Sequence, residues 1–208
     1  ALSYKKIKIH YQPMSPVTHL FIGWLTANTA QVNRRERIII TLAGIAPDMD
    51  GLVIVGDFLA RKNTEQLELW STYHHVLGHN IGFAMLVIVT AYLLARVRKL
   101  TTAILVGISF HLHLLGDFIG SRGPDGYQWP IPYLEPFSDS WQWAWQGQWV
   151  LNSWQNFLVT VLALGIIFYL AWKRGYSPLE MISSKADSSF IVTLRKRFGN
   201  PPEKQRKV

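Results

Sequence analysis

Residues 100–119 read LTTAILVGISFHLHLLGDFI, from Leu100 to Ile119. At 1.5 Å per residue, a helix of this length measures about 30 Å, the thickness of a bilayer's hydrocarbon core. Its first half is an ordinary apolar span, but its second half carries His111, His113 and Asp117. An ionisable group at membrane depth costs several kcal/mol, so it needs a partner or a task. His113 and Asp117 are four residues apart and share one helix face, where they can chelate a metal or bond to each other. His111, two residues before His113, points away from it on a helix and reads as structural support.

The rest of the chain agrees with a membrane protein. It has 208 residues, 49% of them hydrophobic, 16% charged, with mean hydropathy +0.12 and nine tryptophans. No charged side chain occurs from Leu69 to Ala95 or from Ser140 to Trp172. The lack of cysteine excludes disulfide frameworks, thiolate metal sites and cysteine nucleophiles. A net charge of +8 and a pI near 9.8 raise nucleic acid as a partner, but no recognisable reading module accompanies them, so none is expected. The fold class is therefore all-α: a polytopic transmembrane helical bundle of four to five segments.

Asn80–Ala95, Leu100–Ile119 and Trp154–Trp172 are the clearest spans. Ile38–Ala60 is long enough but holds Asp48, Asp50 and Asp57, while Val17–Ala30 is short and reads as a partial span or an interfacial segment. If all five cross, Arg34, Arg35 and Arg37, then Arg96, Arg98 and Lys99, then Lys173 and Arg174 fall on one side, which the positive-inside rule makes cytoplasmic. Lys5, Lys6 and Lys8 would lie opposite, against that trend. The loop Gly120–Val150 becomes extracytoplasmic, rich in proline (Pro124, Pro130, Pro132, Pro136) and in tryptophan (Trp141, Trp143, Trp145, Trp149). It reads first as an aromatic belt at the membrane–water boundary. The segment 173–208 is expected to be a basic cytoplasmic tail, polar and mobile from Lys185 to Val208 and attracted to anionic lipid.

Six of the seven histidines sit in or beside apolar segments: His19, His74, His75, His79, His111 and His113. Alone, His19 at a segment start reads as an interfacial residue or a cap. Asp48 and Asp50 lie between Pro47 and Gly51, where a broken helix can turn both carboxylates inward. His75 and His79 have helical i,i+4 spacing. Imidazole and carboxylate without sulfur suit zinc, manganese or iron. With alternating spans, His19, His74, His79 and Asp117 fall at the outer ends of their segments and can converge there.

In this order and spacing the motifs resemble the YdjM-like family of inner-membrane, metal-dependent hydrolases, from about Met14 to about Pro132. Thr18-His19 matches the family's first element, Pro47-Asp48-Met49-Asp50 its Pro-Asp-x-Asp, and His74 to His79 its His-Arg-x-x-x-His. His113 to Asp117 matches its His-x-x-x-Asp, with Trp129-Pro130 downstream. The family's arginine is His75 here, and its Thr-His-Ser reads Gly78-His79-Asn80. The alignment makes His74 and His79 the ligands where helical spacing favours His75 and His79. His74 is preferred, and His75 is left beside the ligands or facing substrate, with His111 and Trp129. Residues 1–13 become an N-terminal extension to a domain spanning 14–172.

The resemblance implies a hydrolase in the bacterial inner membrane. Its ligands would be His19, Asp48, Asp50, His74, His79, His113 and Asp117, with Asp48, Asp50 and His79 as catalytic candidates. Seven ligands exceed what one tetrahedral zinc needs, so two or more divalent ions are expected, zinc before manganese, with Asp48 or Asp50 as a bridge. An outer-half site rimmed by tryptophan suits a lipid-like ester or phosphoester. The alternative is a protein that binds or transports metal ions or protons without hydrolytic turnover.

Overall fold

The computed structural model describes residues 15–52, 77–123, 126–138 and 140–202, with the backbone alone at Asp50, Gly51 and Leu52. Pro16, with φ already helical and no N–H to satisfy, opens α1 (Pro16–Ala27). Helix α2 (Arg34–Ala43) starts at a capping box: Asn33 Oδ1 accepts from the Glu36 N–H at 2.9 Å, and Glu36 Oε2 accepts from the Asn33 N–H at 3.3 Å. A 3-10 turn follows at Pro47–Leu52, then α3 (Ile81–Leu94), α4 (Lys99–Gly120) and α5 (Trp154–Arg174). Gly175, at φ +81°, ends α5 in the left-handed conformation that glycine adopts without penalty. A second 3-10 turn (Pro178–Met181) leads into α6 (Ser184–Phe198).

The described residues contain no strand, so the all-α expectation holds for them. Two helices, α4 and α5, are long and apolar enough to cross a membrane. At 14 residues α3 is shorter than the expected span, and α1 and α2 have 12 and 10 residues. The segment expected to be helical from Ile38 to Ala60 breaks after Ala43 and resumes as the turn at Pro47. Its remainder from 53 to 60, with Asp57, lies outside the described residues.

Helix α4 is central, packing against α1, α2, α3 and the turn at Pro47. Two glycines let α1, α2 and α4 approach closely. A Cβ on Gly23 would stand 2.6 Å from the Thr41 carbonyl oxygen, and one on Gly44 2.8 Å from that of His19. Small residues at helix contacts have this use in membranes, where lipid gives no hydrophobic drive to associate. Ala27, Ile40, Ala43, Ala91, Leu105 and Val106 fill one end of the core, and Ala46, Ala84, Phe110, Leu114 and Ile131 the other. Helix α1 packs into the bundle, with Trp24 and Ala27 fully buried.

The basic clusters gather at one end. Glu36 Oε1 accepts from the backbone N–H groups of Val97 and Arg98 at 2.9 and 2.8 Å, joining the start of α2 to the start of α4. Arg37 grips Glu180 with two bonds of 2.7 Å, and Arg174 donates to Asn28 Oδ1 at 2.7 Å. The C-terminal segment expected to be mobile is ordered through Gly199-Asn200: Ile191 and Leu194 pack on Ala171, and Asp187 accepts from Ser177 N–H and O–H. An apolar i,i+3 pair among polar residues was enough to dock it.

Burial works to raise the pKa of Glu36, yet backbone N–H groups from Arg98, Val97 and Asn33 hold it below its ordinary value. Its ionised form therefore favours folding above the unfolded-state pKa, and that contribution is lost as pH falls through the folded pKa. Replacing Glu36 by Gln is expected to destabilise the detergent-solubilised protein by about 2 kcal/mol at pH 7, the cost of poorly satisfied buried donors. Thermal unfolding of both proteins across pH should show the gap constant near neutrality and closing only below about pH 4.

Candidate metal centre

Asp117 stands on the last turn of α4, three residues before its C-terminal end, where backbone carbonyls have no partner within the helix. The returning loop supplies those partners. Gln148 Nε2 donates to the Asp117 carbonyl at 2.8 Å, Trp149 N–H to Ile119 at 2.9 Å and Asn156 Nδ2 to Gly120 at 2.8 Å. Trp129 N–H in turn donates to Gln148 Oε1 at 3.3 Å. On the side chain, Ser121 O–H donates to Asp117 Oδ1 at 2.9 Å. The carboxylate is held at both ends and is 1% exposed.

Four elements deliver side chains to it. His113, one turn earlier, puts Nε2 3.0 Å from Asp117 Oδ2. His79, just before α3, brings Nε2 to 3.3 Å from the same oxygen and 3.3 Å from His113 Nε2. Asp48, on the Pro47 turn, lies with Oδ1 3.5 Å from His113 Nε2. His19 of α1 has Nε2 3.3 Å from Asp117 Oδ1, with its ring stacked on His113 at 3.8 Å between centroids. All three histidines and Asp117 are buried, and His19 is neither interfacial nor a cap.

The position of His79 depends on its neighbours. A Cβ on Gly78 would collide with the Pro47 carbonyl, so glycine lets the His79 segment lie against the turn that carries Asp48. Asn80 caps α3, accepting from the Phe83 N–H at 2.8 Å and donating to the Leu77 carbonyl at 3.1 Å. Asparagine and serine cap equally well, so Asn80 preserves what the family's serine would do there.

Tautomer is settled by one bond. The Gly44 carbonyl, at the C-cap of α2, lies 2.8 Å from His113 Nδ1 and accepts the proton there. A neutral ring then presents a lone pair at Nε2. That lone pair faces Asp117 Oδ2 at 3.0 Å, an oxygen with no hydrogen bond, and both oxygens of Asp48 and both nitrogens of His19 also lack one among the described residues. Electron pairs at this distance repel unless a cation lies between them. Bonds of 2.0–2.1 Å to a tetrahedral zinc would place ligand atoms about 3.3–3.4 Å apart. Four separations among Asp48, His79, His113 and Asp117, of 3.0–3.5 Å, lie near this value, and all four ligand atoms fall within 4.8 Å of one another, so these residues could hold a metal ion.

Not every expected residue joins them. His111 turns away, with Nδ1 2.7 Å from the Gly107 carbonyl and Nε2 2.9 Å from Tyr133 Oη. The Trp129 N–H reaches the centre through Gln148. His74 and His75 lie outside the described residues, as does the side chain of Asp50. In the aromatic loop Trp143 stacks on Tyr133 at 4.3 Å and packs against the core, whereas Trp141 and Trp145 stay largely exposed. Gly44, Gly78, Ser121 and Gln148 were not anticipated. Ser121 continues the i,i+4 ladder from His113 and Asp117 and so left a signal, but nothing in the sequence singles out Gln148.

The fold and site define an all-helical protein with two membrane-length helices and a buried His/Asp cluster able to bind a metal ion. Residues 14–194, most of the chain, match the family model described as YdjM inner membrane protein, and the chain belongs to that family. The match runs beyond Trp129-Pro130, where the recognisable motifs end, through α5 into α6. No curated protein and no solved structure matches the chain.

Removing the hydroxyl that holds Asp117 should weaken the site without deleting a ligand. Ser121→Ala is expected to lower zinc affinity at least about tenfold, the usual effect of losing a bond to a metal-binding carboxylate. Competition with a chromogenic chelator measures it, and unchanged affinity would remove Ser121 from the site.

Proposed function

We propose that the protein is a membrane-bound, metal-dependent hydrolase acting on an ester or phosphoester of a lipid-like substrate. The observation that carries this reading is the convergence of His19, Asp48, His79, His113 and Asp117 from four elements, each with a nitrogen or carboxylate oxygen 3.0–3.5 Å from one of a neighbour. A divalent ion bound there would supply Lewis acidity and an ionised water at neutral pH. Zinc suits the four-donor nitrogen and oxygen set best, and manganese is the second choice.

Two ions are favoured over one by the way Asp117 divides its oxygens. Oδ2 faces His79 and His113, while Oδ1 faces His19. Asp117, rather than Asp48 or Asp50, would then be the residue shared between two ions, with His74 and Asp50, which lie outside the described side chains, as the remaining candidate ligands. The Gly44 carbonyl holds the Nδ1 proton of His113, Ser121 orients Asp117, and the second oxygen of Asp48 would be available to accept a proton from an attacking water.

The site's location supports a lipid-like substrate. Asp117 lies 18 residues beyond Lys99 on one helix, about 27 Å from the basic end. With the basic end cytoplasmic by the positive-inside rule, the proposed multi-pass arrangement of four to five segments would turn the centre toward the extracytoplasmic side of a bacterial inner membrane. Exposed Trp141 and Trp145 rim that end, where indole rings favour headgroup depth.

The test is metal content of the detergent-purified protein by mass spectrometry, beside His113→Ala/Asp117→Ala, followed by release of water-soluble product from lipid phosphoesters. Two ions per chain, lost in the variant together with turnover, are expected. No bound metal after reconstitution with zinc and manganese would overturn the reading, whereas metal flux in proteoliposomes without turnover would favour transport.

A further inference from the structure

At the basic end, far from the His/Asp cluster, an open apolar groove of about 400 Å³ lies between α5 and α6, lined by Phe168, Tyr169, Trp172, Leu194 and Phe198. Its floor is the packing of Ala171 against Ile191 and Leu194. Helix α5 is the membrane-length helix with the more exposed surface: only 22% of its most apolar window is buried. In a bilayer that surface meets lipid, so a groove continuous with it is filled by an acyl chain.

The groove is also charged at its lip. Lys173 Nζ lies 3.4 Å from Tyr169 Oη and 5.5 Å from the centre of that ring. Arg195 donates from Nε and Nη2 to the Trp172 carbonyl at 3.3 and 3.2 Å, so its guanidinium sits against a second lining residue. Lys196 follows, exposed. Both helices end here with basic last turns and no nearby acidic residue in those turns. Cations in this place attract the negative headgroups of the adjoining leaflet.

We infer that the groove between α5 and α6 binds an anionic phospholipid, with an acyl chain against Phe168, Trp172 and Phe198 and its phosphate at Lys173 and Arg195. The site is separate from the proposed hydrolytic centre and does not depend on it. It gives α6 a lipid as part of its packing, and it ties the C-terminal segment to one leaflet.

The full-length protein, purified in mild detergent and delipidated, is titrated with dioleoyl phosphatidylglycerol, dioleoyl phosphatidylcholine or inorganic phosphate, with binding read by native mass spectrometry and thermal unfolding. Phosphatidylglycerol should bind more tightly and raise Tm more than phosphatidylcholine, and phosphate alone should do neither. Lys173→Gln should weaken phosphatidylglycerol about fivefold and leave phosphatidylcholine unchanged. Phe198→Ser, at an exposed wall, should weaken both lipids. Both variants change exposed side chains, so their helicity by circular dichroism should match wild type. Equal binding of the two lipids, an undiminished preference in the lysine variant, unchanged binding in Phe198→Ser, or competition by phosphate would each overturn the inference.

Discussion

The Gly44 carbonyl and His113 Nδ1 meet at 2.8 Å where three helices touch. Helix α2 ends there, and the carbonyls at a helix end need outside partners. Water cannot serve in a dry interior, so an imidazole does, and the bond that completes the helix also fixes the tautomer of the ring. Its geometry requires the close approach that Gly23 and Gly44 permit, since a Cβ at either would strike backbone. The same contact thus closes α2, seats α1 with its His19 and aims Nε2 of His113 at the cluster.

Polar groups elsewhere in the bundle follow the same logic. The C-terminal carbonyls of α4 are taken up by Gln148, Trp149 and Asn156, and the Trp172 carbonyl near the end of α5 by Arg195. Buried polar atoms without a hydrogen bond also occur singly, as at Trp24, Thr102 and Ser109, but the oxygens of Asp48, the nitrogens of His19 and Oδ2 of Asp117 lie together in one cluster. Buried polar atoms are nearly always partnered. A cluster in which several lack a partner, all facing one another, is what a cation-binding site looks like without its cation.

Much of this was legible in the sequence, and the reasons differ by residue. His113 and Asp117 could be paired because helical spacing alone brings them together. Asp48 needed the flanking Pro47 and Gly51 to suggest a break, and the turn at Pro47–Leu52 is that break. His19 could be assigned only through the family motif, since no local spacing links it to residues nearly a hundred positions away. The lengths of the short helices were misjudged because hydropathy does not register where a chain stops being helical: Ile38–Ala60 is apolar across the point at which α2 ends. The docking of α6 was missed for the opposite reason, as two apolar residues, Ile191 and Leu194, are too few to outweigh a basic composition.

Helix α4 links the two ends of the molecule, and the link is geometric. Its first turn is pinned by Glu36, which binds the N–H groups of Val97 and Arg98, and its last by the loop that returns at Gln148. A slip of one turn would move His113 and Asp117 by about 5.4 Å. Metal sites tolerate errors of only about 0.2 Å in ligand distance. A buried carboxylate at the basic end therefore bears on the metal centre without touching it, because it sets the height at which α4 presents its ligands. Arg37, beside Glu36 on α2, binds Glu180 ahead of α6, so the C-terminal segment is joined to the same anchor. A family match over residues 14–194, from ahead of His19 into α6, fits a molecule in which both ends hold one helix in register.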